Sequence, residues 1–582
     1  MTRENKIRLL LLGAIILVFG QVVTHDFVDW DDGPQLYQNP IIVDHPLSGL
    51  EKYWNPFSDE NAAISIYCPM VFTVWWGLAH LSDVQSPDLF STTLNPYIYH
   101  AANLAMHWVC ACLVFEILLR LKIRPWPAAC GALIFALHPL QTEAVAWASA
   151  MKDLLSGFFA LLTILMYIIA LDSRGNARKR NYWLSTIFFI AALLSKPSTV
   201  VVPVIAGVID RMIYGRSWKQ IARWTWYWYA MGIAIILITA RVQKLESWVG
   251  GPLWAHPLIA MDSLAFYLGK LVLPIHLRFD YGRNPQALLT DPTLHHPLYW
   301  TWIFPALLAL ILWRSKQKVL IVAAAIFALG LLPVLGLKTF AFQYYTTVAD
   351  RYVYLSMLGV ALAVGWFIQQ HASRAVAIAA AVIVCILASL SFVQARQWTD
   401  TPTLYSYGLD KTRPLHLTIL AQYQDVLAQP YFRRAQMAAA AGDFVHQRIY
   451  QEQGIAYIEN AIAYYRLANR LGPNNGETYN FLARDLVLMG RLDEAIDTVK
   501  RWIDADPHEE FGIRQKPGRL QDMLGMLYLR NHQYQPAVNA FERSLTEQDD
   551  PQVRSDLARA QALARALAAK PPAAPTRPTT SQ

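Results

Sequence analysis

Between Leu9 and about Val393 the sequence repeats one pattern: a long apolar run, a short basic cluster, another apolar run. A helix of roughly twenty apolar residues crosses the hydrocarbon core of a bilayer. A chain threaded back and forth keeps its lysines and arginines in the cytoplasmic connections. The pattern excludes an ordinary soluble enzyme and leads us to expect an all-α, polytopic membrane helix bundle. Composition agrees, with 55% of the 582 residues apolar, 16% charged and 20 of them Trp. Past Val393 the sequence turns polar and charged, as a soluble domain does. The net charge of +8 lies largely in the short connections and needs no nucleic-acid partner to explain it. Cys68, Cys110, Cys112, Cys130 and Cys385 show no CxxC spacing, which argues against a disulfide framework or a zinc site.

Arg3, Lys6 and Arg8 precede the first apolar run, Leu9 to Val23, and put the N-terminus inside. No small-x-small cleavage site follows, so the run reads as an uncleaved anchor rather than a signal peptide. The first outer loop then covers 26–96, and its apolar, aromatic segment Ser65 to Trp76 could lie in the membrane interface as a surface helix. A span from Tyr97 to the basic stretch Arg120–Arg124 carries His100, Asn103 and His107 on one helical face, read as lining a cavity. The next span, from Trp126, meets Pro139, which removes a backbone donor and should break the helix. Further spans flank Ser195-Lys196-Pro197, and others run from Trp224 to Thr239, Tyr299 to Trp313, Val319 to Leu337, Val348 to Phe367 and Ala375 to Phe392. The short run Leu264 to Leu277 fits as a re-entrant or interfacial piece. Basic-loop counting gives about eleven spans and puts the C-terminal domain outside.

The polar motifs segregate. Asp31 and Asp32, Tyr67, His100, His138 to Glu143, Lys152-Asp153, Lys196 and Asp350-Arg351-Tyr352 all fall at outer ends, while inner ends hold plain basic clusters. Ionisable groups inside a membrane domain are costly and mark function. Their shared side reads as one outward-facing cavity. Adjacent carboxylates in Phe27-Val28-Asp29-Trp30-Asp31-Asp32-Gly33-Pro34 are either acidic turn residues in a solvated loop or a general base working on a lipid-borne substrate.

The polar tail carries its own signal. Tyr479, Leu482, Ala483, Leu486, Gly490, Ala495, Val499 and Pro507 fit the tetratricopeptide spacing, and Pro473/Pro507 and Ala461/Ala495 are both 34 residues apart. A further unit holds Leu524, Gly525, Tyr528, Ala537 and Phe541 after an insertion around His508 to Pro517. Such helix pairs stack into a solenoid with a concave groove, which could serve packing and oligomerisation or acceptor capture. The domains expected are 1–393 (transmembrane), 394–430 (linker and connecting helices), 431–565 (repeats) and 566–582 (disordered tail).

Trp30-Asp31-Asp32 with Asn39-Pro40, Asn95 to Asn103, Phe135 to Val145, Leu194 to Pro197 and Ala349 to Leu355 together resemble the transmembrane and tetratricopeptide-repeat O-mannosyltransferases and their bacterial relatives, within the GT-C superfamily. The block His138-Pro139-Leu140-Gln141-Thr142-Glu143-Ala144-Val145 is the most specific part. The resemblance implies a GT-C-like fold and transfer of a sugar, mannose by resemblance alone, from a polyprenyl phosphate to a protein Ser/Thr hydroxyl, or to a lipid or glycan hydroxyl. The superfamily's first-loop acidic pair is commonly Asp-Glu, whereas here it is Asp31-Asp32, so either carboxylate could act. Asp31 is the expected base, with Asp32 its neighbour or partner, and a single base opposite the leaving phosphate implies inversion. Arg351 is the favoured phosphate grip, because its fork binds two oxygens, with Lys196 and Lys152 behind it. His138, Gln141 and Glu143 are expected to read sugar hydroxyls, although Glu143 could equally pair with a lysine, and Tyr67, His100, Asn103, Asp153, Asp350 and Tyr352 are expected to line the substrate site. No His/Cys cluster suggests a catalytic metal, although Asp31 and Asp32 could take a divalent ion. The absence of any Asn-x-Ser/Thr site favours a bacterial inner membrane. The rival readings are a non-enzymatic scaffold whose repeats recruit envelope-assembly partners and, more weakly, a transporter.

Overall fold

The computed structural model describes residues 2–44, 46–84, 92–243, 251–472, 476–505 and 518–568. Pro473, Pro507, the insertion His508 to Pro517 and the stretch from Lys570 to Gln582 lie outside the described residues. The chain forms two compact units, Met1–Gly408 and Leu409–Gln582. Among the described residues the fold is helical, with one isolated bridge between Asp83 and Leu94 and no strand. The stretch 394–430 is divided between the units: a helix at Thr401–Gly408 closes the first, and a long helix from Pro414 opens the second.

Among the described residues of the first unit, seven helical segments are long and apolar enough to cross a membrane: Arg3–Thr24, Pro96–Arg120, Ala148–Asp172, Pro197–Tyr214, Trp218–Val242, Thr293–Ser315 and Arg374–Trp398. Pro125–Leu137, Lys318–Val334 and Met357–Gln370 are shorter apolar helices beside them. This is a multi-pass membrane bundle. We label the helices used below α1 (Arg3–Phe19), α2 (Pro69–Ser82), α3 (Pro96–Arg120), α4 (Pro125–Leu137), α5 (Thr142–Ala146), α6 (Met151–Asp172), α7 (Gly175–Ser195), α8 (His256–Val272), α9 (Ile303–Ser315), α10 (Lys318–Leu331), α11 (Met357–Gln370) and α12 (Arg374–Ala395).

Local chemistry sets the boundaries. Asn95 caps α3 by accepting the Tyr97 N–H at 2.9 Å, with Pro96 opening the first turn where its missing N–H costs nothing. Ser373 caps α12 in the same manner. Helix α9 leaves Phe304, Leu307, Ile311 and Trp313 exposed, the surface of a helix meant for lipid rather than water. Helix α11 is wedged between α4 and α10, and glycines permit the approach. A methyl group on Gly131 would overlap the Ala361 carbonyl, and one on Gly359 would overlap the Ala323 carbonyl. The segment Ser65 to Trp76 contributes to α2, whose Val71, Phe72 and Trp75 are buried in protein with Tyr53 stacked on Phe72. The run around Leu264 becomes α8, a helix of 17 residues. The span expected from Val348 begins later than the apolar pattern suggests, since Asp350–Val353 is a single 3-10 turn and α11 starts only at Met357.

Pro139 does end a helix. Helix α4 stops at Leu137, His138 turns extended as a residue before proline must, and 3-10 turns at Pro139–Gln141 and Ala148–Ala150 flank the short α5 before α6 begins. The whole stretch from 138 to 150 is buried. Carbonyls freed by the break would be costly there, and neighbouring side chains satisfy them. Gln141 donates to the Phe135 carbonyl at 3.1 Å, His107 to Ala136 at 2.9 Å, Ser391 to Leu137 at 2.8 Å and Asn103 to Trp147 at 2.8 Å. The break is therefore a built feature, and it delivers Glu143, Trp147 and Lys152 to one place.

The second unit is a helical solenoid: α13 (Pro414–Ala440), α14 (Phe444–Leu471), α15 (Gly476–Leu488), α16 (Leu492–Ala505), α17 (Arg519–Arg530), α18 (Tyr534–Glu547) and α19 (Pro551–Ala568). Consecutive helices pair and stack. Ala461, Tyr479, Leu482, Ala483, Leu486, Ala495 and Val499 are all buried between them. Gly525 sits against the Phe541 ring with no room for a methyl, and Gly490 takes the left-handed turn that ends α15. Helix α19 carries 566–568 of the expected tail, and the remainder of that tail lies outside the described residues.

Candidate active site

The loop after α1 is pinned before it reaches its acids. The Asp26 N–H donates to the Thr399 carbonyl at 2.9 Å, the Asp29 N–H to the Thr401 hydroxyl at 2.8 Å, and the Tyr405 hydroxyl to the Asp29 carbonyl. The Trp30 ring is held edge-on by Phe279 and Tyr345, with centroids 4.9 and 5.2 Å away. These anchors come from far along the chain, and they fix the direction in which the next two residues point.

Asp31 and Asp32 are adjacent in sequence and opposite in fate. Asp32 is fully buried and accepts the Val28 N–H at 2.9 Å, the Ser149 N–H at 3.0 Å and the Ser149 hydroxyl at 2.5 Å. It closes its own turn and bolts the loop to the 3-10 turn before α6. Burial pushes its carboxyl up to about 7, against the pull of those three bonds, and the charge of Asp31 adds a smaller push. Both Asp32 oxygens are engaged by donors. The Asp31 side chain is 35% exposed and accepts from Lys152 Nζ at 3.2 Å. Lys152 donates a second bond to Gln35 Oε1 at 2.7 Å.

Two further ion pairs stand beside this one. Lys196 Nζ meets Asp153 Oδ1 at 2.5 Å. The Arg351 guanidinium pairs with Glu143, whose other oxygen accepts the Arg351 N–H at 2.9 Å. Two aromatic rings link the three cations. Trp147 lies under Lys152 at 5.7 Å and under Arg351 at 5.1 Å, and Tyr352 faces Arg351 at 5.0 Å and Lys196 at 5.1 Å. Phe342 covers Arg351 from another side at 4.3 Å. The result is a run of side chains, Lys152–Trp147–Arg351–Tyr352–Lys196, with one carboxylate for each cation.

No family model matches the chain. The human protein O-mannosyl-transferase TMTC4 is 26% identical over 228 residues, 36% of this chain and 29% of the human protein. The Caenorhabditis elegans protein O-mannosyl-transferase F38B6.6 is 21% identical over 426 residues, 69% of this chain and 57% of that protein. The Drosophila melanogaster protein O-mannosyl-transferase Tmtc2 is 27% identical over 267 residues, 43% and 28% of the two. This chain is similar to protein O-mannosyl-transferases. It spans less than two thirds of the length of each of these relatives.

Within this O-mannosyl-transferase-like chain, the fold brings together Asp31, Lys152, Asp153, Lys196, Glu143, Arg351 and Tyr352. The remaining expected site residues are spent chiefly on backbone groups. Asp350 accepts the Tyr281 hydroxyl at 2.7 Å. The Tyr67 hydroxyl donates to the Trp54 carbonyl at 3.2 Å. His138 accepts the Leu140 N–H on Nδ1 and donates to the Leu271 carbonyl through Nε2. His100 reaches the Asp26 carbonyl at 3.3 Å, while its Nδ1, the Asn103 amide oxygen and the Gln141 amide oxygen have no bonded partner. The face His100, Asn103, His107 thus braces irregular backbone where it was expected to line a cavity. Trp147, Gln35 and Ser149 went unread in the sequence. Trp147 stands four residues after Glu143 and five before Lys152, and that position between two marked motifs is the signal that could have exposed it. Among the described residues no group of three or more His, Cys, Asp or Glu side chains is arranged to hold a metal ion.

Proposed function

We propose that this chain is a membrane glycosyltransferase of the GT-C type that moves a sugar, mannose by its similarity to protein O-mannosyl-transferases, from a polyprenyl phosphate to a hydroxyl, and most readily a protein Ser or Thr. The observation that carries the reading is the juxtaposition of one accessible carboxylate, Asp31, with Lys152, Arg351 and Lys196 at one end of the bundle. Asp31 takes the proton of the acceptor hydroxyl as its oxygen bonds to the anomeric carbon. The bond from that carbon to the phosphate oxygen breaks, and its electron pair leaves with the polyprenyl phosphate, which gains a second negative charge. That growing charge is what preorganised cations stabilise. Attack from the Asp31 side and departure from the other inverts the anomeric carbon. Asp32 holds the loop and positions Asp31. The donor's polyprenyl tail belongs in the bilayer, and we assign the site to the outer face of a bacterial inner membrane with the N-terminus inside. The solenoid, with its tetratricopeptide spacing, extends outside and offers a surface for the acceptor.

The test is transfer of labelled mannose from a polyprenyl phosphate by the purified chain. Asp31→Asn, near-isosteric at a part-exposed position, is expected to abolish transfer while leaving thermal unfolding unchanged. A wild-type chain that transfers from no lipid-linked sugar, yet binds partners through its repeats, is instead a scaffold.

A further inference from the structure

This inference rests on the glycosyl-transfer reading above. Lys152, Arg351 and Lys196 each already hold a carboxylate, so a phosphate that takes one of these three cations has to open an existing pair. The three pairs differ in how firmly they are closed. Arg351 and Glu143 are 8% and 3% exposed, and Glu143 is held a second time by the Arg351 N–H. Lys196 and Asp153 meet at 2.5 Å with 21% and 6% exposure. Lys152 and Asp31 are 3.2 Å apart, the longest of the three, and here the carboxylate is the exposed partner, at 35% against 11%. Lys152 keeps its bond to Gln35 and its place over Trp147 when Asp31 leaves. Asp31 in turn has its backbone fixed by the Gln35 N–H on its carbonyl and by the anchored neighbours Asp29 and Asp32, so only its side chain has to swing.

We propose that the donor phosphate exchanges with Asp31 on Lys152. Before the donor arrives, Lys152 neutralises the carboxylate and holds it back from a hydroxyl. When the phosphate takes the ammonium, the carboxylate is released beside the bond that is to break. Lys152 then does two jobs in sequence, restraining the base and gripping the phosphate, and the donor has to bind before an acceptor can be deprotonated. Gln35 is the positioning residue that keeps Lys152 in place through the exchange.

The test measures affinity of the detergent-solubilised full chain for polyprenyl phosphate without a sugar, with inorganic phosphate and the neutral polyprenol as separate arms. The chains compared are wild type, Asp31→Asn, Lys152→Gln and the double variant. Removing the competing carboxylate is expected to tighten polyprenyl phosphate binding several-fold in Asp31→Asn, even though that variant loses transfer. Lys152→Gln is expected to weaken binding tenfold or more, and adding Asp31→Asn to it should recover nothing. Unchanged or weaker affinity in Asp31→Asn overturns the exchange. So does equal tightening with and without Lys152, which would mark a general effect of net charge. Because Asp31→Asn leaves Lys152 native, unchanged or weaker binding by that variant overturns the exchange even if Lys152→Gln fails to fold. Wild type binding polyprenyl phosphate no better than the polyprenol defeats the glycosyl-transfer reading itself, a different result from either of these.

Discussion

In the first unit the pairs Arg351–Glu143 and Lys196–Asp153 lie inside the bundle, their carboxylates 3% and 6% exposed, stacked on aromatic rings and crowded at one end. In the second unit Arg448–Glu452, Arg466–Glu494 and Arg491–Glu459 run along open helix faces in water. Taking a charge out of water costs several kcal/mol per ion, and the attraction between partners only roughly recovers it. Exposed pairs cost almost nothing to make and contribute little. Buried pairs gathered in one place are therefore weak evidence for stability, and they fit the chemistry on an anionic substrate proposed above. The same contrast separates Asp31 from Asp32 in adjacent positions: Asp32 is buried and held by three donors, and Asp31 is part-exposed.

The comparison breaks hardest at Glu143. Glu143→Ala leaves the Arg351 guanidinium buried without its partner, which is expected to cost about 3–5 kcal/mol. Thermal unfolding of the purified chain in detergent should fall sharply, and an unchanged midpoint would mean that the pair is not closed as described. Packing sharpens the contrast next. A methyl on Gly359 collides with backbone, the Ala323 carbonyl, whereas one on Gly525 meets the side chain of Phe541. Overpacking typically costs about 1–3 kcal/mol, and Gly359→Ala should lie above Gly525→Ala because a ring can turn aside and a carbonyl in a helix cannot.

The solenoid holds one exception to its own rule. Asp425 and Asp485 share Arg484, and the Tyr465 hydroxyl donates to Asp425 at 2.9 Å. Burial, and then the charge of Asp425, push the Asp485 carboxyl up to about 7. An acid whose folded value lies above its unfolded value, about 3.9, binds its proton more tightly when folded. The stability it adds is full below about pH 4 and is lost as pH rises to about 7. Amide exchange across α13 to α16 should accordingly slow as the pH-corrected rate is followed from pH 8 down to pH 5. Asp485→Asn should flatten that dependence, and a slope of opposite sign would mean that the folded chain does not bind the Asp485 proton more tightly.

Much of the fold was legible because it depends on local pattern. Apolar runs, Pro139 as a breaker and small residues at Ala461, Ala495 and Gly525 carry their information within a turn or a repeat. The site was legible as a set of residues and illegible as a set of pairs. Asp31 meets Lys152 across 121 residues, Glu143 meets Arg351 across 208, and nothing in either neighbourhood announces the other. Asp31 and Asp32 are interchangeable on paper, and Asp32 is bolted down by Ser149, 117 residues away, together with the Val28 N–H of its own turn. The start of α11 was misjudged for the same reason. Asp350 and Arg351 interrupt the apolar run with two charges, and Glu143 takes the Arg351 N–H and holds a 3-10 turn in place of the helix. The bracing role of His107, Asn103 and Gln141 follows from the helix break and could have been anticipated, since carbonyls freed at Pro139 had to find donors.

The smallest expected effect is the most exacting check on the contrast. Arg466 pairs with Glu494 at the solenoid surface, with side chains 38% and 46% exposed, and Glu494 is held independently by Arg491. Arg466→Ala therefore removes one of two cations from a carboxylate that water can also solvate. Exposed pairs contribute from about 0 to 1 kcal/mol, and the redundant partner places this one at the low end. Thermal unfolding of Arg466→Ala should be indistinguishable from wild type at moderate salt. A loss comparable to that of Glu143→Ala would show that exposure does not separate the two classes of ion pair. The burial of Glu143, Asp153 and Arg351 would then no longer set their pairs apart from the exposed pairs of the solenoid.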